Sequence, residues 1–498
     1  MKAVPADVCM IVEGGYPYLL GGVSSWLDSH IRAAPELTFH VIALSISAQP
    51  RVRKFTPPGN LVGITDVLLD VSPQGASPNF WTRASVAPLV RLIGRVLTDG
   101  STDDFAALMH ELKRTGLGRE ALLNSREAWL AMQAVYTAKF PGASLVDFFW
   151  TWRFLAQSVL SIASAPIPEA KVYHAVATGY AGLLGARASL ASGRPLVVTE
   201  HGIYTNERRI ELSVADWLYQ SPASGFDIKG RSPELRDLWL GGFESFSKIA
   251  YDAAHVITTQ FRLNQLFQLK DGAAEAKLRI IPNGIDVAGF EEFVPPPASR
   301  RPTILLIGRI VPIKDIRTFI LAAGLLRREV PDVDAIIIGP DDEDPKYAND
   351  CRALVTQLEL QDTVRFLGRV KDVKDYFGQA DVLVLTSISE AQPISVLEAA
   401  AAGLPAVTTD VGSCREVLLG GPNDPIAGTG GMIVPACDPQ ATANALAHML
   451  LNEEERLRMG RVMRERVRTV YSKDRVIQMY KELYREVSGQ TAPAVAAA

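Results

Sequence analysis

The feature that most limits the folds open to this chain is an alternation of short apolar runs with longer stretches of helical periodicity. Short apolar runs of this kind are typical of buried strands in a parallel sheet. Many of them lead into glycine or a polar side chain, where a turn into the next helix is expected. The alternation predicts an α/β fold of doubly wound, Rossmann-like domains, in which ligands bind beyond the carboxyl ends of the strands.

The first series of strands predicts an N-terminal domain over residues 1–292. It opens with the apolar run Val8–Val12, a glycine-rich loop and a helical stretch. Further strands are predicted at 39–44, near 172 and 196, at 254–259 and at 278–281. Between about 73 and 166 helical periodicity replaces the alternation, which predicts a helical insertion. An insertion of that length suggests a role of its own, as a lid or a partner surface.

A proline-rich polar segment at 291–300 predicts a linker to a second domain. Residues 300–470 repeat the pattern, with strands predicted at 303–307, 334–338, 364–366, 382–385, 405–408 and 431–434. We expect the two domains to face each other across a ligand-binding cleft. The remaining residues, 471–498, hold a helical stretch with Tyr480 and Tyr484 at helical spacing, expected to pack back on the first domain, and an alanine-rich tail.

Composition excludes several classes of function. The length of 498 residues fits two or three domains, and a net charge of −4 leaves no large basic field for nucleic acid. The four cysteines are scattered without a CxxC pair, which argues against a disulfide framework or a zinc site. The N-terminus lacks a secretory pattern and no window is apolar enough to span a bilayer, so we expect a cytoplasmic protein.

The stretch Ser389–Gly403 predicts a binding site at the end of an apolar strand. Pro393 suits the first position of a helix, because its missing N–H costs nothing there. The free amides that follow, from Ile394 onward, favour an anion. Glu390 and Glu398 flank this helix start, and carboxylates beside an anion site are better suited to binding hydroxyls. A sugar nucleotide offers a diphosphate with a polyol at each end.

Arg309 and Lys314 follow the predicted strand 303–307 and indicate a cationic loop for a diphosphate. A site without a metal must draw its positive charge from the protein, and preorganised charge usually contributes more to catalysis than any other single effect. The alternative is that both cations pair with surface acids. Arg369 follows a further strand, in a position suited to contact a nucleotide base.

The acidic run Asp341–Asp344 allows two interpretations, a metal site or a solvated acidic loop. Its positions lack the Asp/Asn spacing of a calcium-binding loop, which favours the solvated loop. We therefore expect no metal.

Three features of the first domain indicate a ligand. Gly21 and Gly22 lie in the loop after the first strand, where glycine lets the backbone approach a ligand closely; a tight turn without a ligand is the alternative. His174 and His201 follow successive predicted strands, and open sheets place ligands beyond such strand ends. A structural role in the core is the alternative for each histidine.

Together these motifs resemble the retaining glycosyltransferases of family 4, which have the two-domain GT-B fold. The resemblance covers most of the chain outside the helical insertion. Its carriers are Gly21-Gly22, His201, Pro282–Asp286, Gly308-Arg309 with Lys314, Gly368, and Glu390 with Glu398 followed by 399–405. Segments 13–26, 174–182, 200–204 and 389–393 are more specifically similar to the PelF group, the cytosolic glycosyltransferases of Pel exopolysaccharide biosynthesis.

The resemblance implies a UDP-sugar donor, UDP-glucose being usual for that group, a polysaccharide acceptor and a membrane-embedded polysaccharide synthase complex as partner. It implies catalytic roles for His201, Glu390, Arg309 and Lys314. Glu398 is expected to hold the ribose hydroxyls, Glu390 the sugar hydroxyls, and His201 the region of the anomeric centre. The donor-binding residues implied are Gly21, Gly22, His174, Arg309, Lys314, Arg369, Glu390, Gln392, Pro393, Ile394 and Glu398.

Retention by front-face attack is also implied, with the departing phosphate assisting deprotonation of the acceptor and no dedicated protein base. Two positions depart from the wider family: Gln392 replaces an aromatic or aliphatic residue, and Asp315 replaces glycine. Two other functions stay open. One is a different nucleotide-sugar enzyme, such as an epimerase; the other is a non-catalytic scaffold of a polysaccharide synthase complex.

Overall fold

The computed structural model describes residues 5–46, 51–70, 83–213, 235–290, 300–421 and 424–489. Contacts divide the chain into two compact units. The first, unit 1, comprises residues 1–259, 264–280 and 480–498; unit 2 comprises 260–263 and 281–479.

Unit 1 is built on a seven-stranded parallel sheet with the strand order β3-β2-β1-β4-β5-β6-β7. Its strands are β1 (Ala6–Glu13), β2 (Phe39–Ser45), β3 (Leu61–Leu68), β4 (Ala170–Ala175), β5 (Leu196–Glu200), β6 (Val256–Thr259) and β7 (Leu278–Ile280). Among the described strands of this sheet, β3 is the one that the sequence did not predict. It lies at the sheet edge, contains Gly63 and Asp66, and buries little beyond Val67, so it lacks a continuous apolar run.

Helices cover this sheet and fill the predicted insertion. They are α1 (Gly22–Arg32), α2 (Val86–Thr98), α3 (Thr102–Thr115), α4 (Arg119–Leu123), α5 (Arg126–Lys139), α6 (Leu145–Ser164), α7 (Tyr180–Ser192), α8 (Tyr204–Ser213), α9 (Leu235–Ala253) and α10 (Arg262–Lys270). Helices α2 to α6 occupy the described part of the expected helical region. Their apolar faces join strand side chains in one core, to which Phe105, Phe148 and Trp152 contribute.

Unit 2 holds a six-stranded parallel sheet with the order β10-β9-β8-β11-β12-β13. The strands are β8 (Thr303–Ile307), β9 (Asp334–Ile338), β10 (Val364–Gly368), β11 (Val382–Leu385), β12 (Ala406–Thr409) and β13 (Gly431–Val434). The helices are α11 (Ile316–Leu326), α12 (Pro345–Gln357), α13 (Lys374–Phe377), α14 (Ile394–Ala401), α15 (Cys414–Leu419), α16 (Pro439–Leu451) and α17 (Glu453–Val470). Two clusters of buried side chains form its core.

The unit boundary lies earlier than the sequence indicated. Residues 281–290 belong to unit 2 by their contacts, whereas the first domain was expected to extend to 292. Ile285 pairs with Ser472 in a parallel bridge, and the Asn283 amide donates to the Gln392 side chain. Most of the predicted linker, 291–299, lies outside the described residues.

The last helix, α18 (Lys473–Ser488), returns the chain to unit 1. Tyr480 and Tyr484 are buried against His30 and His174. The helix therefore packs where the tyrosine spacing indicated. In the described part of the chain, no helix is both long enough and apolar enough to cross a bilayer.

Candidate functional site

The loop after β11 and the start of α14 form the centre of the candidate site in unit 2. Pro393 has φ −72° and ψ 114°, an extended conformation, so the helix begins at Ile394. The prediction that Pro393 is the first helical residue is therefore wrong by one position. The φ angle of proline is compatible both with the residue before a helix and with the first helical residue, so only the ψ angle distinguishes the two positions. The first amides of α14 precede the helix's own hydrogen bonds.

Lys314 and Glu390 meet at this loop. The Lys314 ammonium forms an ion pair with the Glu390 carboxylate, and the two side chains are only 18% and 13% exposed. The Ser387 hydroxyl donates a further hydrogen bond of 2.7 Å to Glu390. Glu390 is thus held by a cation and a hydroxyl beside the helix start. The structure brings these two predicted site residues together.

The loop that carries Lys314 has an unusual backbone. Asp315 has φ 44° and ψ 54°, in the left-handed region that glycine adopts without strain. Its carboxylate accepts from the Thr318 amide at 3.3 Å and so caps α11. This conformation explains why glycine suits the position, and the cap shows what aspartate contributes in its place.

Arg309 and Arg369 lie on the surface and pair with the acidic run. Arg309 donates to Glu343 at 2.6 Å, with both side chains about half exposed. Arg369 donates to Asp342 at 2.9 Å. For Arg309, the structure therefore shows the alternative in which it pairs with a surface acid, because the acidic run follows the neighbouring strand β9.

The acidic run itself is an arginine-paired loop. Asp341 pairs with Arg352, and Asp344 caps α12 by accepting from the Tyr347 amide at 3.0 Å. Within the described residues, no cluster of three or more histidine, cysteine, aspartate or glutamate side chains is arranged to hold a metal ion.

Glu398 lies on α14, one turn beyond Ile394, and is largely buried. Burial raises the pKa of its carboxyl group, while the charge of Lys374 opposes that rise. The Lys374 ammonium in turn lies 4.6 Å from the centre of the Phe290 ring. Glu398 therefore sits near a cation that sequence reasoning missed, since a lysine 24 positions away gives no local signal.

Gln392 braces the backbone in this structure. Its side chain is 6% exposed and its Oε1 accepts from the Asn283 amide at 2.6 Å. This contact ties the loop before α14 to the segment 281–290. The Nε2 of Gln392 is buried and has no hydrogen-bond partner among the described residues, so contact of this nitrogen with the donor stays a prediction.

The turn after β12 packs against the loop that carries Glu390. The Ser413 amide donates to the Ala391 carbonyl at 2.8 Å. Gly412 has φ 54°, and a side chain there would overlap the Ala391 carbonyl oxygen. This close approach requires glycine.

In unit 1, the predicted glycines lie at the start of α1. Gly21 is extended and Gly22 is the first helical residue. A Cβ atom built on either would meet no atom within 4 Å among the described residues. The described residues therefore do not crowd these two positions.

His174 belongs to the core, and the expectation that it binds a ligand is wrong for this structure. It is fully buried, with its Nδ1 at 2.8 Å from the Tyr484 hydroxyl and its Nε2 at 2.6 Å from the Thr199 hydroxyl. Both ring nitrogens are engaged, and burial lowers its pKa far below the usual value. His201 is partly exposed instead, and its ring packs against Trp26 with centroids 4.6 Å apart.

Two parallel-sheet, Rossmann-like units of this kind define the GT-B fold class of glycosyltransferases. The solved sucrose-phosphate synthase of Thermosynechococcus elongatus aligns over 97% of this chain and 99% of its own, with a TM-score of 0.57 and 17% identity. Anabaena Alr3699/HepE in complex with UDP and glucose aligns over 96% and 99%, with a TM-score of 0.55 and 14% identity. These likenesses concern the fold.

Residues 6–276 match the family described as "Domain of unknown function (DUF3492)", and the chain belongs to that family. Residues 289–466, within unit 2, match the family described as "Glycosyl transferases group 1".

Curated relatives match over shorter stretches. The D-inositol 3-phosphate glycosyltransferase of Kineococcus radiotolerans is 31% identical over 38% of this chain and 47% of its own length. The exopolysaccharide phosphotransferase SCO2592 of Streptomyces coelicolor is 30% identical over 48% of this chain and 24% of its own. The chain thus spans half or less of the length of these two relatives.

Proposed function

We propose that this protein is a retaining glycosyltransferase that moves a hexose from a UDP-sugar, UDP-glucose, to a growing exopolysaccharide of the Pel type. The observation that carries the proposal is the shielded Lys314–Glu390 pair beside the start of α14, within a group 1 glycosyltransferase domain. A UDP-sugar donor is supported by the shared fold of Alr3699/HepE, which was solved with UDP and glucose.

When the donor binds, Lys314 and Glu390 separate and each contacts a different part of the donor. Lys314 turns from Glu390 to the diphosphate, where its ammonium is a compact positive charge. The amides at the start of α14 add partial positive charge to the same anion. Charge that develops on the leaving UDP is thereby stabilised by groups already in place.

Release from Lys314 frees Glu390 to accept hydrogen bonds from hydroxyls of the donor sugar. Glu398 accepts from the ribose hydroxyls, and Arg309 exchanges Glu343 for phosphate oxygens. His201 contacts the sugar near its anomeric carbon. The departing phosphate takes the acceptor's proton as the new bond forms on the same face, so retention needs no protein base and no metal.

The proposed setting is the cytoplasm. The acceptor is the end of a polysaccharide, and the partner is a membrane-embedded polysaccharide synthase complex. Both follow from the similarity of the motifs around Glu13, His201 and Glu390 to the PelF group.

Lys314→Met tests the donor chemistry. We expect UDP release from UDP-glucose to fall about a hundredfold, because one preorganised charge at the leaving group is lost. Glu390→Gln should weaken UDP-glucose binding more than UDP binding, since it touches the sugar. Lys346→Met, at an exposed lysine on α12, is the matched control. Unchanged turnover in Lys314→Met contradicts the proposal.

The other two functions give different results in the same assays. An epimerised sugar nucleotide formed without acceptor identifies an epimerase. Absence of calorimetric binding of UDP and UDP-glucose at millimolar concentration identifies a scaffold. Undiminished turnover in EDTA is the result expected for a metal-independent enzyme.

A further inference from the structure

A cavity of about 700 Å³ opens at the carboxyl ends of β1 and β2 in unit 1. Its volume falls within the range of small-molecule sites. Glu13 and Gly14 reach it from the end of β1, and Leu44 and Ser45 from the end of β2. Ligands bind at this edge of open α/β sheets.

Six aromatic side chains line the cavity, namely Tyr18, Phe154, Tyr180, Tyr204, Trp239 and Phe243. Four of these rings are in contact with one another. The centroid of the Trp239 ring lies 5.4 Å from that of Phe154 and 5.9 Å from that of Phe243, and the centroids of Phe243 and Tyr204 are 5.6 Å apart. Phe154 comes from α6 of the helical insertion and Trp239 from α9. The insertion therefore builds part of the wall.

Glu13 supplies a polar group within this aromatic wall. One carboxylate oxygen accepts from the Ala181 amide at 2.8 Å, and the other accepts from the Tyr204 hydroxyl at 3.1 Å. The Tyr180 amide is a further donor to this carboxylate. A carboxylate has about four acceptor sites, so Glu13 retains capacity for a ligand hydroxyl group. Its orientation is fixed in advance by these protein donors.

The two arginines that line the cavity are paired with carboxylates. Arg51 pairs with Asp66 at 2.7 Å, and Arg208 pairs with Glu211 at 2.7 Å. Arg208 also lies close enough to Glu13 for its charge to oppose the rise in pKa that burial causes in that carboxyl group, while Lys54 is exposed at the rim. Both arginines of the described lining already have a carboxylate partner, which favours a neutral ligand over a phosphate.

We propose that this cavity binds a neutral saccharide, the acceptor end of the polymer, by stacking on Phe154 and Trp239 and by hydrogen bonds to Glu13. Apolar faces of sugar rings pack on aromatic rings while their hydroxyls need acceptors, and the cavity offers both. The proposal rests on the proposed function for its identification of the saccharide as the acceptor. It also gives the helical insertion a role in recognition.

The test measures saccharide binding directly on the whole chain, without the donor. Maltotriose, cellotriose and triacetylchitotriose are the neutral probes, and glucuronic acid is the charged comparator, each followed by saturation-transfer NMR. We expect binding of at least one neutral trisaccharide and weaker binding of glucuronic acid. Trp239→Ala and Phe154→Ala should each weaken trisaccharide binding about tenfold, the effect of losing one aromatic contact.

Two further variants separate binding from folding. Val52 lines the cavity and is 74% exposed, so Val52→Trp blocks the mouth without disturbing the core and should abolish binding. Trp150→Ala removes an exposed tryptophan of α6 outside the cavity wall and should leave binding unchanged. Binding that survives both Trp239→Ala and Val52→Trp overturns the proposal, as does the absence of trisaccharide binding in the wild type.

UDP-glucose hydrolysis distinguishes this proposal from the proposed function. We expect Val52→Trp to hydrolyse the donor at the wild-type rate while transfer to saccharide is lost. A wild type that binds a trisaccharide in the cavity but does not turn over UDP-glucose supports the cavity and overturns the donor chemistry. Equal transfer by Val52→Trp and wild type overturns the acceptor assignment.

Discussion

The role of a charged residue in this site depends on its ion-pair partner and on its exposure. Lys314 and Glu390 neutralise each other in a largely shielded loop. In the proposed function, a diphosphate replaces Glu390 as the partner of Lys314, and sugar hydroxyls replace Lys314 as the partners of Glu390. Arg309 has the same charge as Lys314 but lies half exposed on Glu343. An exposed pair of that kind contributes little stability, so its exchange for a phosphate costs little.

His30 provides a residue-scale prediction for pH. It is fully buried with its Nε2 at 3.0 Å from the Tyr484 hydroxyl, and burial lowers its pKa to about 3. Since the unfolded state takes up a proton below its pKa of about 6.5 and the folded state does not, stability falls as pH decreases through 6.5. At pH 5 protonation of His30 in the unfolded state should lower the free energy of unfolding by about 2 kcal/mol, relative to its value at a pH where the histidine is neutral in both states.

His30→Phe tests this by removing the titrating group while keeping a ring against Trp26. The free energy of unfolding is measured with urea at pH 7 and at pH 5. Its decrease between the two pH values should be about 2 kcal/mol smaller in the variant than in the wild type. The comparison is needed because burial raises the pKa of Glu13 and Glu200, which stabilises the fold as pH falls. An identical pH dependence of the two proteins contradicts the prediction.

Gly412 connects backbone conformation to the site. Gly412→Ala places a methyl group on the Ala391 carbonyl in a backbone region that alanine disfavours. We expect the Glu390 loop to shift and UDP-glucose turnover to fall about a hundredfold, as for an ångström-scale misplacement. Gly421→Ala, where an added Cβ meets no atom within 4 Å among the described residues, is the matched control. Turnover equal to that of the control argues against a positioning role.

Among the elements, α17 is fixed by a single buried cation. Arg466 is 0% exposed, pairs with Asp424 and donates to the Leu418 carbonyl at 2.8 Å. It also donates to the Gly428 carbonyl at 2.8 Å. One side chain thus joins α17 to the end of α15 and to the loop before β13.

Arg466→Met should destabilise unit 2 by roughly 3–5 kcal/mol, because Asp424 is left buried without its cation. The measurement is chemical unfolding of the whole chain followed by circular dichroism. Arg461→Met, at an exposed arginine of the same helix, should change stability by less than about 0.5 kcal/mol. Similar losses for the two variants would show that the buried network contributes little.

At the scale of the whole molecule, the C-terminal helix completes the N-terminal unit. Tyr480 is 1% exposed, Tyr484 is 4% exposed and Val487 is fully buried. The Tyr484 hydroxyl lies within hydrogen-bonding distance of both His30 and His174. The fold of unit 1 therefore depends on residues at the far end of the chain.

Removal of this contact should unfold unit 1 at lower temperature. We expect Tyr480→Ala/Tyr484→Ala to lose at least about 5 kcal/mol, since each truncation removes a buried aromatic ring. Calorimetry with limited proteolysis identifies which unit unfolds. Arg485→Ala, on the exposed face of α18, is the control. Cleavage confined to residues 300–470 in the double variant would contradict the assignment of these tyrosines to unit 1.

Much of the fold was predictable because buried strands in a parallel sheet are continuous apolar runs. Val8–Val12 and Val382–Leu385 are examples, and each lies within a strand of the structure. The edge strand β3 was missed because a half-exposed strand needs no such run. The helix start at Ile394 was predicted within one residue, since proline restricts only φ.

The candidate site was predictable in part. Glu390 and Lys314 follow strands that are neighbours in the sheet, β11 and β8, so their meeting follows from the parallel arrangement. His174 also follows a strand, yet its ring turns into the core toward Thr199 and Tyr484. Position along a strand predicts the edge of the sheet where a residue lies, but not whether its side chain faces a ligand or the interior.

The amino-acid sequence by itself determined the two parallel sheets, the helical insertion and the loops that carry charge, because apolar periodicity and turn residues act over short distances along the chain. Tertiary structure alone decided the partners. The Lys314–Glu390 pair joins residues 76 positions apart, and the His174–Tyr484 contact spans 310 positions. Contacts of that range depend on which elements pack together, and burial then decides whether a polar side chain binds a ligand or another residue.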